Sequence, residues 1–200
     1  MPHSEGQFER SPVYKSGGQQ YEDTRTSVSA WLAKDSAAKD CVLARARSFM
    51  GSMLATDGEF GVPQLVKYQA GQKFDYHTDW IAKEQYDQVK GKDGKVVTKR
   101  WNRIASFFVF IRARCEGGET HFPLVNGTGL LNPGIAESNA KIRRHEEAGL
   151  AFKPIEGNAL FWVNLRPDGS GDRRLVHAGL PVESGWKVGM NLWPRFYFND

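Results

Sequence analysis

A histidine and an aspartate lie two positions apart in residues 68–80, YQAGQKFDYHTDW, as His77 and Asp79. Because side-chain direction repeats every two residues on an extended strand, both side chains would point to the same face. One imidazole and one carboxylate on a common face are two of the three ligands in the facial triad that holds non-heme Fe(II) and leaves coordination positions open. The pattern also arises by chance in many chains, so a metal site requires a third ligand from elsewhere.

The C-terminal part of the chain offers that ligand as His177, and it carries Lys187 on a strand-like segment. With three protein ligands on the iron, the remaining positions admit a bidentate cosubstrate and O2. A buried ammonium at Lys187 could pair with the far carboxylate of a dicarboxylate cosubstrate. The alternative for Lys187 taken alone is a solvated surface position. The metal hypothesis therefore depends on His177 meeting His77 and Asp79 in the fold.

The composition is typical of a globular protein. A chain of 200 residues with 40% apolar and 12% aromatic residues fits one domain with a sizeable core. The formal net charge is +4 and the pI is near 9.1, but basic and acidic residues are interspersed. This dispersion favours a solvated surface over a nucleic-acid interface, so no nucleic-acid partner is expected.

The sequence carries no obvious targeting segment. No apolar run approaches the length of a membrane span, and the N-terminal region lacks a hydrophobic stretch of signal-peptide type. The chain as given is therefore expected to be soluble. It would be cytoplasmic or, if an N-terminal signal or anchor was removed, in the lumen of the secretory pathway. The two cysteines, Cys41 and Cys115, do not make a disulfide framework.

Periodicity divides the chain into an N-terminal arm, a helix and a series of short strands. Residues 1–24 are polar and poorly periodic, and we expect a mobile arm ahead of a single domain over residues 25–200. Apolar residues at helical spacing predict a helix over residues 36–54. Strands are predicted within residues 64–69, 73–79, 103–112, 117–123, 150–154, 158–165, 175–179 and 186–198. One helix with seven or eight short strands is typical of a sandwich or jelly roll with a helix packed against it.

Six segments of the sequence resemble one protein family. They are Tyr68…Gly71-Gln72…His77-x-Asp79, Arg103-Ile-Ala-Ser106, Gly117-Gly118-Glu119-Thr120-x-Phe122-Pro123, Gly157-Asn158-Ala159-Leu160-Phe161-Trp162, His177-Ala178-Gly179-x-Pro181-Val182…Gly185-x-Lys187 and Lys187-Val-Gly-Met-Asn-Leu-Trp193. In order and spacing they are similar to the prolyl 4-hydroxylase-type branch of the Fe(II)- and 2-oxoglutarate-dependent dioxygenases. The closing segment is especially similar to the fungal-type members. Together the segments cover nearly the whole chain.

The resemblance implies a mainly β fold with flanking helices, a double-stranded β-helix (jelly roll) with the iron at its mouth. Matched position by position, it implies that His77, Asp79 and His177 are the iron ligands. It also implies that Lys187 binds the C5 carboxylate of 2-oxoglutarate and that Tyr68 lines the cosubstrate pocket. Five further residues match substrate-side positions of the family: Arg25, Ser27, Phe74, Arg103 and Trp193. For Trp193 the alternative is a core position, which is common for an aromatic residue on a last strand.

The same resemblance implies the reaction. Fe(II), 2-oxoglutarate and O2 would hydroxylate an unactivated C–H bond and release succinate and CO2, with ascorbate as the reductant. Asp79 favours hydroxylation over halogenation, because a halogenase leaves the carboxylate position vacant for halide. The expected substrate is a prolyl residue of a peptide, a free amino acid or a related small molecule.

Departures from the family pattern leave the substrate open. Phe74 and Phe110 stand where tyrosines are common in relatives, and Gly61 lies near a position that is often glutamate. The missing hydroxyls argue against assuming a peptidyl-proline substrate. Two other functions are alternatives: a catalytically silent jelly-roll binding protein, which would have lost a ligand or the lysine, and a dioxygenase acting on a nucleic-acid or chromatin substrate. The oligomeric state is also open.

Overall fold

Two antiparallel sheets with apolar inner faces form the centre of the molecule, and one helix packs outside them. The computed structural model describes residues 8–15, 18–33, 35–54, 60–83, 85–90, 93–126 and 141–198. The elements within these residues are β1 Glu9–Arg10, β2 Val13–Lys15, β3 Gly18–Gln20, β4 Val28–Trp31, α1 Ala37–Met50, β5 Gln64–Gln69, β6 Phe74–His77, β7 Gln85–Lys90, β8 Val96–Arg103, β9 Ala105–Gly117, β10 Thr120–Phe122, β11 Ile142–Arg144, β12 Leu150–Phe152, β13 Ala159–Val163, β14 His177–Gly179, β15 Val182–Leu192 and β16 Arg195–Tyr197, with 3₁₀ turns at Gly51–Met53 and Arg173–Leu175.

The larger sheet has the strand order β1-β4-β5-β15-β9-β13, and each neighbouring pair is antiparallel. Strand β9 begins with four consecutive buried residues, 105–108, because one of its faces packs toward α1 and the other toward the smaller sheet. In the middle of this sheet, Lys187 of β15 lies opposite Tyr68 of β5. The larger sheet therefore carries both residues that were predicted for the cosubstrate pocket.

The smaller sheet has the order β11-β12-β10-β14-β6 and is also antiparallel. Its edge pair, β14 and β6, places His177 directly opposite His77. The pairing becomes irregular between His177 and Gly179. Strands β16, β8 and β7 form a separate three-stranded sheet, and β2 pairs with β3. The smaller sheet thus supplies two of the three predicted ligands.

Two apolar clusters hold these layers together. The cluster between α1 and the larger sheet consists of Leu43, Ala46, Met50, Leu65, Ala105, Phe107, Met190 and Leu192. The cluster between the two sheets consists of Val66, Tyr68, Phe108, Phe110, Phe122, Trp162 and Val182. Full burial of one such large side chain contributes about 1.5–3 kcal/mol, so the space between the sheets is both the stabilising core and the wall of any site that opens from it.

The predicted fold class is confirmed, since the chain is mainly β with antiparallel sheets and a helix packed outside them. The predicted helix corresponds to α1 together with the 3₁₀ turn Gly51–Met53. In the described residues twelve strands, β5 to β16, follow the helix, more than the seven or eight expected. The three-residue strand β11 is too short for a recognisable alternation, and the predicted segment 186–198 contains parts of two strands, β15 and β16.

The proposed domain boundary at residue 25 stays a prediction. On its N-terminal side, Glu9–Arg10 pair with β4 of the larger sheet, and the Ser11 backbone N–H donates to the carbonyl of Ser27 at 2.9 Å. In the described part of the chain no helix is long and apolar enough to cross a membrane.

Gly185 should be required by the pairing of β15 with β9. Its φ is +75°, and a Cβ there would lie 2.0 Å from the carbonyl oxygen of Arg114. We expect Gly185→Ala to lower the free energy of unfolding by about 2 kcal/mol or more, since left-handed backbone alone costs an alanine about 1–2 kcal/mol. Gly61→Ala is the matched control, because a Cβ at Gly61 meets no atom within 4 Å and its φ is not positive. Equal thermal unfolding midpoints for the two variants would contradict the requirement for glycine at position 185.

Candidate active site

The three predicted iron ligands meet between strands β6 and β14. The candidate donor atoms of His77, Asp79 and His177 all lie within 4.8 Å of one another. The Nε2 atom of His77 is 3.8 Å from Oδ1 of Asp79, and the Nε2 atom of His177 is 3.9 Å from Oδ2. These separations are too long for hydrogen bonds and fit donor atoms arranged around a shared ion. The distant pairing on which the sequence hypothesis depended is therefore present.

Backbone carbonyls fix the tautomer of both histidines. Nδ1 of His77 lies 2.8 Å from the carbonyl oxygen of Asp75, and Nδ1 of His177 lies 3.0 Å from that of Leu175. A carbonyl oxygen only accepts, so Nδ1 carries the proton and donates, and the lone pair of each ring is on Nε2. Metal-binding histidines are typically oriented by a hydrogen bond of this kind. The donor set of two imidazoles and one carboxylate fits Fe(II).

Burial and neighbouring groups together keep the two ligands of the β6 segment in their metal-binding protonation states. Burial does so at His77. It lowers the pKa of His77 to about 3, with a further contribution from His177. For Asp79 burial acts in the opposite direction, but the adjacent His177 and His77 outweigh it and bring the pKa to about 2. Arg103 and the Ser106 hydroxyl lower it further. At neutral pH the site therefore offers a neutral imidazole at His77 and a carboxylate at Asp79, as metal binding requires.

Lys187 is buried beside the same apolar cluster. Only 1% of the residue is exposed, its Nζ donates to the carbonyl of Gly118, and Nζ lies 4.7 Å from the ring centroid of Tyr68 and 6.0 Å from that of Phe108. Burial lowers the pKa of Lys187 to about 8 and raises the pKa of the Tyr68 hydroxyl. A dicarboxylate can accept hydrogen bonds from a buried ammonium and from a protonated hydroxyl.

The apolar cluster between the sheets connects this lysine to the three ligands. Phe122 stacks on His177 with ring centroids 5.2 Å apart, and Trp162 meets the same imidazole edge-on at 4.8 Å. Tyr68 and Phe110 belong to the same cluster, and Phe110 is 1% exposed. Phenylalanine at this position brings no hydroxyl toward Lys187, as the sequence indicated. The wall of the site is therefore largely apolar.

Three of the substrate-side candidates lie on the His77 side of the site. The ring of Phe74 stacks on that of His77, with centroids 3.6 Å apart and planes 17° apart. The guanidinium of Arg25 lies over the ring of Phe74, 4.6 Å from its centroid. Arg25 also donates to Gln64 Oε1 at 3.3 Å, and Ser27 donates to the hydroxyl of Ser11 at 2.9 Å. Phe74 thus contacts the ligand His77 directly, Arg25 contacts Phe74, and Ser27 is joined to them by the Arg25 Nε, which donates to its hydroxyl at 3.4 Å.

The remaining two substrate-side candidates lie on the Asp79 side. The indole Nε1 of Trp193 donates to Asp79 Oδ2 at 3.1 Å. The guanidinium of Arg103 covers the Trp193 ring at 3.9 Å and donates to the backbone carbonyl of Asp79 at 3.3 Å. All ten residues predicted for the site are therefore joined in one set of contacts around the ligands and Lys187, with Ser27 connected through Arg25. Their predicted roles remain proposals.

Two residues of the site received no role from the sequence. Ser106 donates to Asp79 Oδ2 at 2.6 Å, and Asn164 donates to the Ser106 hydroxyl at 2.9 Å. Ser106 belongs to a segment that carried the family resemblance, and it is a polar residue within an apolar run, RIASFFVFIR. Because buried polar groups are almost always hydrogen-bonded, its position was a signal for a buried partner. Asn164 follows an apolar strand and gave a weaker signal.

His121 is a histidine of the smaller sheet that does not join the ligands. Its Nδ1 accepts from the hydroxyl of Tyr76 at 2.7 Å, and its Nε2 donates to the carbonyl of Ala148 at 2.7 Å. Its ring also stacks on His145 with centroids 4.0 Å apart. With both nitrogens engaged, His121 is a structural residue.

Known proteins share sequence features and the fold with this chain. A sequence model of the 2OG-Fe(II) oxygenase superfamily matches residues 63–195. The chain belongs to this superfamily. The match includes the three candidate ligands and Lys187, and membership confirms Fe(II), 2-oxoglutarate and O2 as the cofactors expected from the sequence.

Within the superfamily, the chain is similar to prolyl 4-hydroxylases. Prolyl 4-hydroxylase 13 of Arabidopsis thaliana is 32% identical over 131 residues, which are 66% of this chain and 41% of that protein. Prolyl 4-hydroxylase 2 of the same plant is 28% identical over 178 residues, 88% of this chain and 54% of that protein. The chain thus spans about half the length of these curated relatives. The similarity to fungal-type members stays a prediction.

Solved structures show the same fold. The viral collagen prolyl hydroxylase of Paramecium Bursaria Chlorella virus-1, in its 2-oxoglutarate complex, superimposes with a TM-score of 0.57 at 25% identity, covering 86% of this chain and 79% of that one. A Pseudomonas putida prolyl-4-hydroxylase gives a TM-score of 0.58 at 15% identity, covering 96% of this chain and 80% of that one. At the latter identity the similarity concerns the fold alone.

Metal binding should depend on the triad and not on other histidines. We expect His77→Ala and His177→Ala to weaken Co(II) binding by more than about 100-fold, beyond the loss typical of an outer partner of a ligand. His145→Ala is the control, since its ring packs on His121 outside the triad. Isothermal titration of the metal-free proteins measures the three affinities. Equal Co(II) affinity for His177→Ala and His145→Ala would rule out the assigned centre.

Proposed function

We propose that this chain is an Fe(II)- and 2-oxoglutarate-dependent dioxygenase that hydroxylates an unactivated C–H bond of a prolyl residue in a peptide. The observation that carries the proposal is the convergence of His77, Asp79 and His177 next to an apolar cluster that also holds the buried Lys187. A catalytically silent binding protein would be expected to lack one of these four residues, and all four are present. We further propose that residues 25–200 form the single catalytic domain.

The protein residues would hold the iron and the cosubstrate rather than perform acid–base chemistry. Two Nε2 lone pairs and the Asp79 carboxylate would take three positions on Fe(II) and leave the others open. Lys187 would bind the C5 carboxylate of 2-oxoglutarate through charge-assisted hydrogen bonds, helped by the Tyr68 hydroxyl. When bound, the iron and 2-oxoglutarate supply the oxidation, in which one oxygen atom enters the substrate and the other enters succinate as CO2 is lost.

The apolar wall would exclude water from the reacting C–H bond. Phe122 and Trp162 cover His177, and Phe108 and Phe110 belong to the same cluster. A dry site strengthens the attraction between Lys187 and the cosubstrate carboxylate. It also limits side reactions of the oxidising centre with solvent. We propose ascorbate as the reductant that would restore Fe(II) after unproductive turnovers.

The choice of prolyl peptides rests on the similarity to prolyl 4-hydroxylases. One feature of the chain favours a second candidate, a free amino acid or a related small molecule. Phe74 brings an apolar ring, without a hydroxyl, to the substrate side of His77, and Arg25 covers it. The missing hydroxyl makes the substrate side more apolar at Phe74. The Arg25 guanidinium is a nearby cation that could pair with the carboxylate of a free amino acid.

Product analysis should distinguish these substrates. We expect succinate formation from 2-oxoglutarate to be stimulated by a proline-rich peptide and to match formation of a product heavier by one oxygen atom. Mass spectrometry of the peptide and, separately, of free L-proline identifies which of the two substrates is hydroxylated. Product from free proline alone would favour the second candidate. Coupled turnover retained by His77→Ala would sink the proposed reaction centre.

Lys187 should make 2-oxoglutarate binding sensitive to alkaline pH. Because burial lowers its pKa to about 8, Lys187 must take up a proton to pair with a carboxylate above that pH. The dissociation constant for 2-oxoglutarate should then rise about tenfold per pH unit above about pH 8. The Lys187→Met variant should bind 2-oxoglutarate more weakly at pH 7, and its dissociation constant should lack this additional dependence on pH.

Calorimetric titration of Co(II)-loaded protein between about pH 7 and about pH 9 measures both curves. Any pH dependence of 2-oxoglutarate binding that comes from the metal itself appears in both proteins. The same pH dependence of the dissociation constant in wild type and Lys187→Met would refute the role of this lysine.

A further inference from the structure

The two oxygens of the Asp79 carboxylate have different surroundings. Oδ2 accepts two hydrogen bonds, from the Ser106 hydroxyl at 2.6 Å and from Trp193 Nε1 at 3.1 Å. None of the residues that the structure describes donates a hydrogen bond to Oδ1, which lies 3.8 Å from Nε2 of His77, while Oδ2 lies 3.9 Å from Nε2 of His177. A carboxylate oxygen has two lone pairs in its plane, so those of Oδ2 are occupied and those of Oδ1 remain for a ligand.

The proton of Ser106 is directed by Asn164. Both residues are fully buried, and Asn164 Nδ2 donates to the Ser106 oxygen at 2.9 Å. A hydroxyl has a single proton, and its contact with an ionised carboxylate at 2.6 Å requires that proton to lie toward Asp79. The Ser106 oxygen therefore accepts the hydrogen bond from Asn164, and only the NH2 group of that amide can donate it. The direction of the chain of hydrogen bonds is thus Asn164 to Ser106 to Asp79.

The larger fold holds each member of this chain in place. The Asn164 backbone N–H donates to the carbonyl of Ile104 at 2.7 Å, and its own carbonyl accepts from the N–H of Asp172 at 2.8 Å. On the other side of the carboxylate, Arg103 covers the ring of Trp193. Arg103 also donates to the backbone carbonyl of Asp79. Asp79 lies two residues beyond the end of β6, so these contacts replace the support that a strand would give.

We propose that Asn164, Ser106 and Trp193 are positioning residues that present Oδ1 of Asp79, and Oδ1 alone, to the metal. This inference rests on the proposed metal site and adds how its carboxylate is oriented. A carboxylate that bound through both oxygens would occupy a second coordination position. Three ligand atoms must come from the protein for a bidentate cosubstrate and O2 to share the rest, so the two donors on Oδ2 preserve the open positions.

The test measures Co(II) affinity of the metal-free full chain and the visible spectrum of the Co(II)-saturated protein. Ser106→Ala and Trp193→Phe should each weaken Co(II) binding by about 10- to 100-fold, as is usual when an outer partner of a ligand is lost. Both should change the absorption of the saturated complex, because the carboxylate is free to rotate. Asn164→Ala should weaken binding in the wild-type background and have no further effect in Ser106→Ala.

The chain offers a matched control for each variant. Ser29 is a buried serine of β4, away from Asp79. Trp101 also lies beneath a guanidinium, that of Arg195 at 4.2 Å, and its Nε1 has no hydrogen-bond partner among the described residues. Ser29→Ala and Trp101→Phe should keep the wild-type Co(II) affinity and spectrum. Should Ser106→Ala fail to fold, the comparison of Trp193→Phe with Trp101→Phe decides alone.

The outcomes separate the network from the metal site itself. Wild-type affinity and spectrum in Ser106→Ala and Trp193→Phe would overturn the network while leaving the metal centre in place. An equal effect of Asn164→Ala with and without Ser106 would overturn the proposed direction of the chain, because a purely structural role adds independently. A wild-type protein that binds no Co(II) would overturn the metal centre, and the network with it.

Discussion

The antiparallel pairing of β6 with β14 is the contact on which the site depends. It sets His77 opposite His177, although the two residues are distant in sequence, and Asp79 follows from the same chain segment. A slip of one residue in this register would turn one imidazole to the outer face of the sheet, where Tyr76 and His121 already form a hydrogen-bonded pair. The backbone carbonyls that accept from both Nδ1 atoms then turn the two Nε2 lone pairs toward Asp79.

The second constraint is the dry interior between the sheets. The aromatic cluster that stabilises the jelly roll also covers His177 and surrounds the Lys187 ammonium. Burial is the largest cause that lowers the pKa values of His77 and Lys187, so the same packing that stabilises the fold prepares a neutral ligand and a cation that responds to an anionic partner. Structure and proposed function therefore share one set of contacts, and a change in the cluster should affect both.

Much of this could be predicted from the sequence, because the informative residues combine chemistry with spacing. His77, Asp79, His177 and Lys187 were found by type, position and family resemblance, and the structure brings them together. The role of Asn164 could not be predicted. This residue follows β13, and its contact with Ser106 depends on the pairing of β13 with β9, which the periodicity of the sequence does not specify. Strands β7 and β8 were not assigned as strands, because their mixed polar and apolar residues give no clear strand pattern in the sequence, whereas β16 lies within the predicted strand segment 186–198.

The most direct test of the central claim is a crystal structure grown without oxygen in the presence of Mn(II) and 2-oxoglutarate. We predict one metal ion bound by Nε2 of His77, Nε2 of His177 and a single oxygen of Asp79. The cosubstrate should chelate this ion through its keto and C1 carboxylate oxygens, with its C5 carboxylate at the ammonium of Lys187. A metal ion bound elsewhere, or a C5 carboxylate that makes no contact with Lys187, would contradict the account.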